Sequence, residues 1–272
     1  MNALNKVVEN LIQANMTHSH SDIRVCPYCQ KEVPKLEIEI LGKKRFVQPV
    51  CKCEAEKAME PIKRAEERKQ EAELKRLFSI HDIGERFNES NFTNFIVRNG
   101  SEKCFKLAKK YVEEFDEWEG ESLMFWGEPG NGKSHLATAV TNELTARGKR
   151  VVFISMPDLL EKIKATFNKN SVETESEIMK GLQMCDLLII DDIGAEKVSD
   201  WVQEVIFRIV DGRYKKVKPI MATSNLEPKE LAERIGKRAY DRLIEISQPI
   251  QNEATSYRRE KAKARMERFK DL

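Results

Sequence analysis

A glycine-rich stretch near the middle of the chain has the residue types needed to hold a phosphate group. It reads Gly127-Glu128-Pro129-Gly130-Asn131-Gly132-Lys133-Ser134. Glycines allow backbone N–H groups to curl around a phosphate and approach it closely, because no Cβ stands in the way. Lys133 is then expected to reach the β- and γ-phosphates of a nucleotide, and the Ser134 hydroxyl to hold Mg²⁺. Taken alone, the stretch also fits a glycine-containing surface turn.

The segments on either side of this stretch favour phosphate binding. An apolar run at 122–126 precedes it, and a run with helical character at 135–147 follows it. A strand, a glycine-rich loop and a helix in this order are typical of a P-loop. The helix would begin at the phosphate and offer its positive end to the bound charge.

A second apolar run, at 187–190, is followed by two acids that complete such a site. Asp191 is expected to bind Mg²⁺, usually through water, and Asp192 to orient or deprotonate the attacking water. Either acid alone would be unremarkable at a strand end. Together with the upstream loop they predict a nucleotide site.

Asn225 follows a further predicted strand at 218–224. In an open parallel sheet, ligands bind at the carboxyl ends of the strands, so Asn225 is placed to contact the γ-phosphate or the water. It would otherwise cap the turn before Pro228. Strands that alternate with helices predict an α/β fold, with a central parallel sheet flanked by helices.

Four of the six cysteines form two close pairs near the N-terminus. The pairs are Cys26 with Cys29 and Cys51 with Cys53, separated by a β-like run at 36–47. Two such pairs joined by a hairpin can place four thiolates around one tetrahedral ion, and zinc fits best. The alternatives are four unligated thiols, or a site in which His18 or His20 replaces a thiolate. Cys104 and Cys185 lie in apolar patterns and are predicted to be core residues.

Composition and charge limit the class of protein to which this chain can belong. The chain has 272 residues, of which 34% are charged and 40% hydrophobic, with a formal net charge of +2. This small net charge means that any nucleic-acid site must be a local patch. No apolar stretch approaches the ~20 residues of a membrane span. We therefore expect a cytoplasmic protein without membrane contact.

The pattern along the chain predicts three parts. Residues 1–53 form a small zinc-binding module, 54–78 a charged helical linker, and 79–272 the nucleotide-binding domain. Within the first part, residues 1–20 have apolar side chains at helical spacing and predict a short amphipathic helix. Phe92 and Phe95 precede the P-loop and either line an adenine pocket or pack in the core.

Two basic segments are candidates for contact with nucleic acid. The first carries Lys162, Lys164, Phe167 and Lys169. Cations beside an aromatic ring suit a single-stranded backbone with one base stacked on the ring, although a solvated lysine face over a core phenylalanine fits too. The second is residues 256–272, with seven basic and three acidic residues, which could touch a phosphate backbone.

The motifs together resemble those of AAA+ ATPases, and most closely the bacterial and phage replicative helicase loaders of the DnaC and DnaI kind. The resemblance spans residues 79–260, about two thirds of the chain. It rests on the P-loop, on Leu-Ile-Ile-Asp-Asp-Ile-Gly, on Ala-Thr-Ser-Asn-Leu, and on Lys-Arg-Ala-Tyr-Asp-Arg-Leu followed by Ser-Tyr-Arg-Arg.

The resemblance implies roles for further residues. ATP and Mg²⁺ would be held between neighbouring subunits, with the P-loop and His135 in the nucleotide site. By position, Asn225 is similar to sensor one, Arg258 to sensor two, and Arg242 to the arginine finger, with Arg238 beside it. Asp192 stands where AAA+ enzymes commonly have glutamate, so slow hydrolysis is expected. The helix carrying Lys162, Lys164, Phe167 and Lys169 has the location of the loaders' single-stranded DNA site.

The resemblance also implies a function and partners. Such loaders use their amino-terminal module to bind a DnaB-type hexameric helicase, which they deliver to single-stranded DNA during replication initiation or restart. ATP would act as a switch of affinity. Two alternatives remain open, an IstB-like ATP-binding helper of a transposase and a nucleotide-insensitive adaptor.

Overall fold

The computed structural model describes residues 23–40, 42–78, 89–168 and 170–267. The chain divides into two units, Met1–Lys69 and Gln70–Leu272. The helix predicted at 1–20, the two histidines near it and Lys169 lie outside the described residues. Within the described ranges, no helix is long and apolar enough to cross a membrane.

The first unit contains two short antiparallel sheets followed by a helix. Strands β1 (Arg24–Val25) and β2 (Glu32–Val33) pair with each other, as do β3 (Leu36–Ile40) and β4 (Lys43–Val47). Gly42 turns the second hairpin with a φ of 74°. The charged segment after Cys51 is helical, from Lys52 to Leu77 (α1). Pairs of opposite charge four residues apart, such as Glu60 with Arg64, support the exposed part of this helix.

The second unit is built on a five-stranded parallel sheet. Its strands are β5 (Ser122–Trp126), β6 (Val151–Ser155), β7 (Leu187–Asp191), β8 (Ile220–Ser224) and β9 (Ser247–Gln251). Their order across the sheet is β6-β7-β8-β5-β9. The predicted α/β architecture, a parallel sheet flanked by helices, is confirmed.

Eight helices of the described residues accompany these strands. They are α2 (Glu102–Glu113), α3 (Lys133–Ala146), α4 (Met156–Ala165), α5 (Glu175–Met184), α6 (Asp200–Tyr214), α7 (Pro228–Ile235), α8 (Lys237–Ile246) and α9 (Tyr257–Glu267). Successive strand residues alternate between two apolar layers: Leu188 and Ile190 face one, and Leu187 and Ile189 the other. Because both faces are covered by apolar side chains, the strands read as continuous apolar runs.

A fully buried arginine ties together the ends of several elements. The Arg213 guanidinium, at the end of α6, donates to the carbonyl oxygens of Leu182, Cys185, Asp186 and Pro219 at 2.5 to 3.3 Å. The directed dipoles of these carbonyl groups compensate the buried charge. Cys185 lies beside it, and both Cys185 and Cys104 are fully buried, as predicted for core cysteines.

Candidate nucleotide-binding site

The glycine-rich stretch forms the loop between β5 and α3. Gly127 and Gly130 adopt φ values of 136° and 83°, which side-chain-bearing residues rarely adopt. A Cβ at Gly127 would stand 2.5 Å from the Asn252 carbonyl oxygen, and one at Gly130 would stand 2.5 Å from the Ser256 hydroxyl. Only glycine therefore fits these two positions, as the predicted P-loop requires.

Lys133 begins α3 and turns its ammonium into the loop. Its Nζ donates to the carbonyl oxygens of Gly127 and Glu128 at 2.9 Å, and to the amide oxygens of Asn131 at 3.2 Å and Asn225 at 3.0 Å. Burial lowers the pKa of Lys133 to about 8, and the nearby Asp192 and Asp191 oppose that shift. The predicted lysine thus lies at the centre of a ring of oxygen atoms.

The two acids at the end of β7 lie beside the end of β8. The Thr223 hydroxyl donates to Asp191 at 2.5 Å and accepts the backbone N–H of Asp192 at 3.0 Å. The Asn225 amide donates to the Asp192 carboxylate at 2.9 Å while its oxygen accepts from Lys133. One asparagine therefore joins the lysine of the loop to the second acid.

Burial raises the pKa of Asp191, while hydrogen bonds from Thr223 and from Ser134 lower it. The structure thus brings Ser134 and Asp191 together, as predicted. A half-buried carboxylate next to a serine hydroxyl is a donor set of oxygen atoms, which Mg²⁺ prefers. The residues present fit this ion.

Thr223 was not singled out from the sequence, because it lies inside the apolar run that predicts β8. The available signal was the position of Thr223 near the carboxyl end of a predicted strand. The carboxyl ends of parallel strands meet at one edge of the sheet, where the two acids also lie.

The C-terminal segment of the chain supports the loop from the other side. The Asn131 and Asn252 side chains, both buried, each donate to the other's backbone carbonyl, at 2.7 and 3.3 Å. The Tyr257 N–H donates to the Gly130 carbonyl at 2.9 Å. Arg258 follows at once, with its Cγ 3.3 Å from the position of a Cβ on Gly130. The predicted sensor-two arginine is therefore beside the loop.

Arg98 links the same parts and was not predicted. Its guanidinium donates to the carbonyls of Asn131 at 3.2 Å and Thr255 at 2.8 Å, and to the Glu260 carboxylate at 2.9 Å. These partners lie 33 to 162 residues away along the chain. No local pattern indicates such a contact.

The aromatic residues before the loop pack against its helix. The Phe95 ring stacks on Phe105 with centroids 5.5 Å apart, and His135 meets its edge at 5.2 Å. Phe92 also contacts Phe105, edge to face. The His135 Nε2 lies 3.1 Å from the Asn91 carbonyl oxygen. Of the two interpretations of Phe92 and Phe95, these contacts are those of core packing.

The two candidate finger arginines lie on α8 and contact α6. Arg242 donates through Nε to Asp211 at 2.9 Å, and its guanidinium lies 5.0 Å from the centre of the Phe207 ring. Arg238 lies over the same ring at 4.0 Å and is the more exposed of the two. The described contacts of both lie on α6 and α8, so neither is brought to Lys133 or Asp191 of its own chain.

The predicted nucleic-acid contacts at the end of α4 include an exposed aromatic ring. The Phe167 side chain is 60% exposed, and its ring meets the edge of Trp201 on α6 at 6.1 Å. The Lys164 ammonium lies 5.1 Å from the centre of the Trp201 ring. Lys162 instead pairs with Glu173 at 2.6 Å. Trp201 was missed because its position in an amphipathic helix reads as an ordinary apolar one.

The four N-terminal cysteines meet at one point of the first unit. Their sulfur atoms lie within 4.8 Å of one another, and three of the pairs are 3.4 to 3.5 Å apart. Four sulfurs around a tetrahedral zinc ion lie about 3.8 Å apart, given Zn–S bonds of about 2.3 Å. The backbone N–H of Cys29 lowers the pKa of the Cys26 thiol to about 6, which favours the thiolate. This donor set fits zinc.

Comparison with known proteins points to one family. The model of the IstB-like ATP binding proteins matches residues 60–265. The replicative helicase loader DnaC of Escherichia coli (strain K12) is 36% identical over 171 residues, which cover 62% of this chain and 69% of that protein. A crystal structure of the DnaC helicase loader has a TM-score of 0.57 at 26% identity, covering 62% of this chain and 100% of that one.

A replication initiator is also similar in structure. DnaA bound to AMPPCP and single-stranded DNA has a TM-score of 0.53 at 25% identity, over 62% of this chain and 51% of that chain. Together these findings confirm the resemblance to helicase loaders that the motifs predict.

Proposed function

Because this chain belongs to the family of IstB-like ATP binding proteins and is similar to the DnaC loaders, we propose that it loads a replicative helicase onto single-stranded DNA. Its partner is a DnaB-type hexameric helicase, and it acts in the cytoplasm during replication initiation or restart. The hydrogen-bonded chain from Lys133 through Asn225 to Asp192 is the observation that carries the ATP dependence.

In this proposal Lys133 and the loop N–H groups bind the β- and γ-phosphates of ATP. Ser134 and Asp191 would hold Mg²⁺, which would supply positive charge to the bound nucleotide. Asp192, oriented by the Asn225 amide, positions or deprotonates the attacking water. Arg258 reaches the phosphates from the C-terminal segment. Asn225 contacts both Lys133, which binds phosphate, and Asp192, which activates the water. The Asn225 side chain therefore links phosphate binding to water activation.

ATP works as a switch of affinity rather than as fuel for rapid work. We assign helicase contact to residues 1–53, the linker to 54–78 and the ATPase to 79–272. Neighbouring copies complete the nucleotide crevice, and slow hydrolysis releases the loader. Single-stranded DNA lies across Phe167 and Trp201, with Lys164 and the neighbouring lysines at its backbone.

Copurification tests the partner. We expect the tagged full-length chain to recover the replicative helicase in the presence of ATP and Mg²⁺. We also expect it to raise the rate at which the helicase unwinds a DNA substrate that has a single-stranded region. Recovery of a transposase in place of the helicase would favour the IstB-like helper instead. Failure to bind a fluorescent ATP analogue would favour the nucleotide-insensitive adaptor.

We expect Arg242→Ala to abolish hydrolysis that depends on a neighbouring copy. An arginine supplied in trans stabilises charge in the transition state, so the rate stimulated by single-stranded DNA should fall at least about a hundredfold. Binding of ATP by the isolated chain should not change. Phosphate release and nucleotide titration, each over a range of protein concentration, measure the two effects.

Two further variants locate the effect. Arg238→Ala shows which of the two arginines acts. Arg234→Ala, which changes a partly exposed arginine paired with Glu230, is the control that should keep the wild-type rate. Normal hydrolysis by both Arg242→Ala and Arg238→Ala would contradict the role in trans.

We expect about one zinc ion per chain, lost in Cys53→Ser. Removing one thiolate opens the tetrahedral site, and so small a module has little apolar core to replace the energy of the metal. Metal analysis of purified protein measures the stoichiometry, and Cys104→Ala, a buried cysteine of the second unit, is the matched control. Wild-type protein free of zinc after expression in zinc-containing medium would contradict the assignment.

A further inference from the structure

Helix α9 has the most one-sided charge of the described helices in the second unit. Its cations are Arg258, Arg259, Lys261, Lys263 and Arg265, against the two acids Glu260 and Glu267. No side chain of the helix is buried. Since a helix in water usually mixes both signs of charge, this excess of cations calls for a partner of opposite charge.

The acid in the first turn of the helix is already engaged. Glu260, in its first turn, accepts hydrogen bonds from Arg98 at 2.9 Å and from Thr255 at 2.6 Å. Arg259, Lys263 and Arg265 form no ion pair with any residue of the described part of the chain. Their charge is therefore available to an outside partner.

The arrangement of the cations suits a phosphate backbone. Lys261 and Arg265 are four residues apart, so they lie along one face of the helix, beyond Arg258 of the nucleotide site. Alanines at 262 and 264 separate them from the second row, Arg259 and Lys263. Its large apolar or aromatic side chains are Met266, 68% exposed, and Tyr257, whose ring lies under the cations of Arg98 and Lys261. Protein interfaces need buried aromatic or aliphatic anchors, whereas backbone contacts need only charge.

The start of the helix is part of the nucleotide site. The Tyr257 N–H donates to the Gly130 carbonyl at 2.9 Å, and Arg98 joins Glu260 to the Asn131 carbonyl. A shift of the phosphate-binding loop therefore acts on the first turn of α9. Cations along the remaining turns move with that turn.

We propose that α9 is a second contact for the phosphate backbone of single-stranded nucleic acid, apart from the Phe167 and Trp201 rings, and that its first turn couples this contact to the ATP site. The inference rests on the proposed DNA binding. It adds a second binding site for the nucleic-acid backbone, next to the nucleotide site. It also explains how ATP binding could change the affinity for nucleic acid.

The test compares salt dependence. Full-length chain with ATP and Mg²⁺ is titrated into a fluorescent oligothymidylate at salt concentrations from about 50 to 200 mM. The triple variant Lys261→Gln, Lys263→Gln, Arg265→Gln keeps helix-forming residues while removing three charges. We expect the slope of log affinity against log salt to fall by about two units, because each lost phosphate contact removes about 0.7. Affinity at the lowest salt should fall at least tenfold.

A matched control removes the same charge from another exposed helix. It is Lys103→Gln, Lys106→Gln, Lys109→Gln on α2, which should keep the wild-type slope. Equal losses in both triple variants would assign the effect to net charge and overturn the proposal. An unchanged slope in the α9 variant, with helicase recovery lost instead, would make α9 a protein-binding surface and also overturn it.

The outcomes separate this inference from the proposed function. If the wild-type chain binds no oligothymidylate, both fail together. If Phe167→Ala with Trp201→Ala weakens binding while the α9 variant matches wild type, the proposed DNA site stands and the second contact is refuted.

Discussion

Lys133→Ala is expected to weaken ATP binding at least about a hundredfold, close to 3 kcal/mol. A buried ammonium that meets phosphate makes charge-assisted hydrogen bonds, and each is worth about 1.5 to 3 kcal/mol. The side chain is 4% exposed, so water does not replace it when it is removed. Titration calorimetry with ATP and Mg²⁺ measures the loss.

The contacts of Lys133 explain why the effect should be large. The ammonium has four oxygen partners, from Gly127, Glu128, Asn131 and Asn225. Truncation removes the charge that orders these groups, so both the phosphate contact and the shape of the loop are lost. The matched control is Lys229→Ala, an exposed lysine on α7, which should bind ATP as wild type does. If Lys133→Ala binds ATP with an affinity within threefold of wild type, the assignment of the nucleotide site is contradicted.

Arg213→Met is expected to lower the free energy of unfolding by about 4 kcal/mol. The methionine fills part of the volume but makes none of the hydrogen bonds, so the carbonyls of Leu182, Cys185, Asp186 and Pro219 lose their buried donor. Leaving buried polar groups unpaired costs about 1 to 3 kcal/mol each, and breaking a buried charge network about 3 to 5 in all. Urea unfolding followed by circular dichroism measures the change.

Arg208→Met on the same helix is the control for this change. Its guanidinium pairs with Glu175 at the surface, and exposed ion pairs contribute about 1 kcal/mol or less. We expect its unfolding midpoint to stay close to wild type, while that of Arg213→Met falls by roughly 1.5 to 2 M urea. Equal midpoints for Arg213→Met and wild type would mean that the turns hold without the guanidinium.

The residues that the sequence predicts best are those that lie at or shortly after the ends of strands. Lys133, Asp191 and Asn225 each follow an apolar run, and the carboxyl ends of parallel strands meet at one edge, so local patterns were enough to bring them together. The α/β fold follows from the same alternation of strands and helices. The order of the strands does not, because it depends on which distant runs pair.

The residues that pattern analysis missed act through distant contacts. Arg98 and Asn252 support the loop from opposite ends of the second unit, and Trp201 joins Phe167 only because α4 and α6 come together. Arg242 resembles the arginine finger by position, and the sequence pattern does not indicate its pairing with Asp211. Such pairings depend on tertiary packing, which spacing along one segment does not report.

The strand that leads into the phosphate-binding loop is paired on both sides, with β8 on one side and β9 on the other. The loop is held in the same way, since the Gly127 N–H donates to Ser224 and the Trp126 carbonyl accepts from Asn252. For the amides of β5 to reach solvent, the hydrogen bonds to both neighbouring strands must break. Strand β6 lies at the sheet edge, so its opening breaks the hydrogen bonds to one neighbour. Amide hydrogens of residues 123–126 should therefore exchange with deuterium more slowly than those of 151–155, and the loop's anchor should be among the last parts of the unit to loosen.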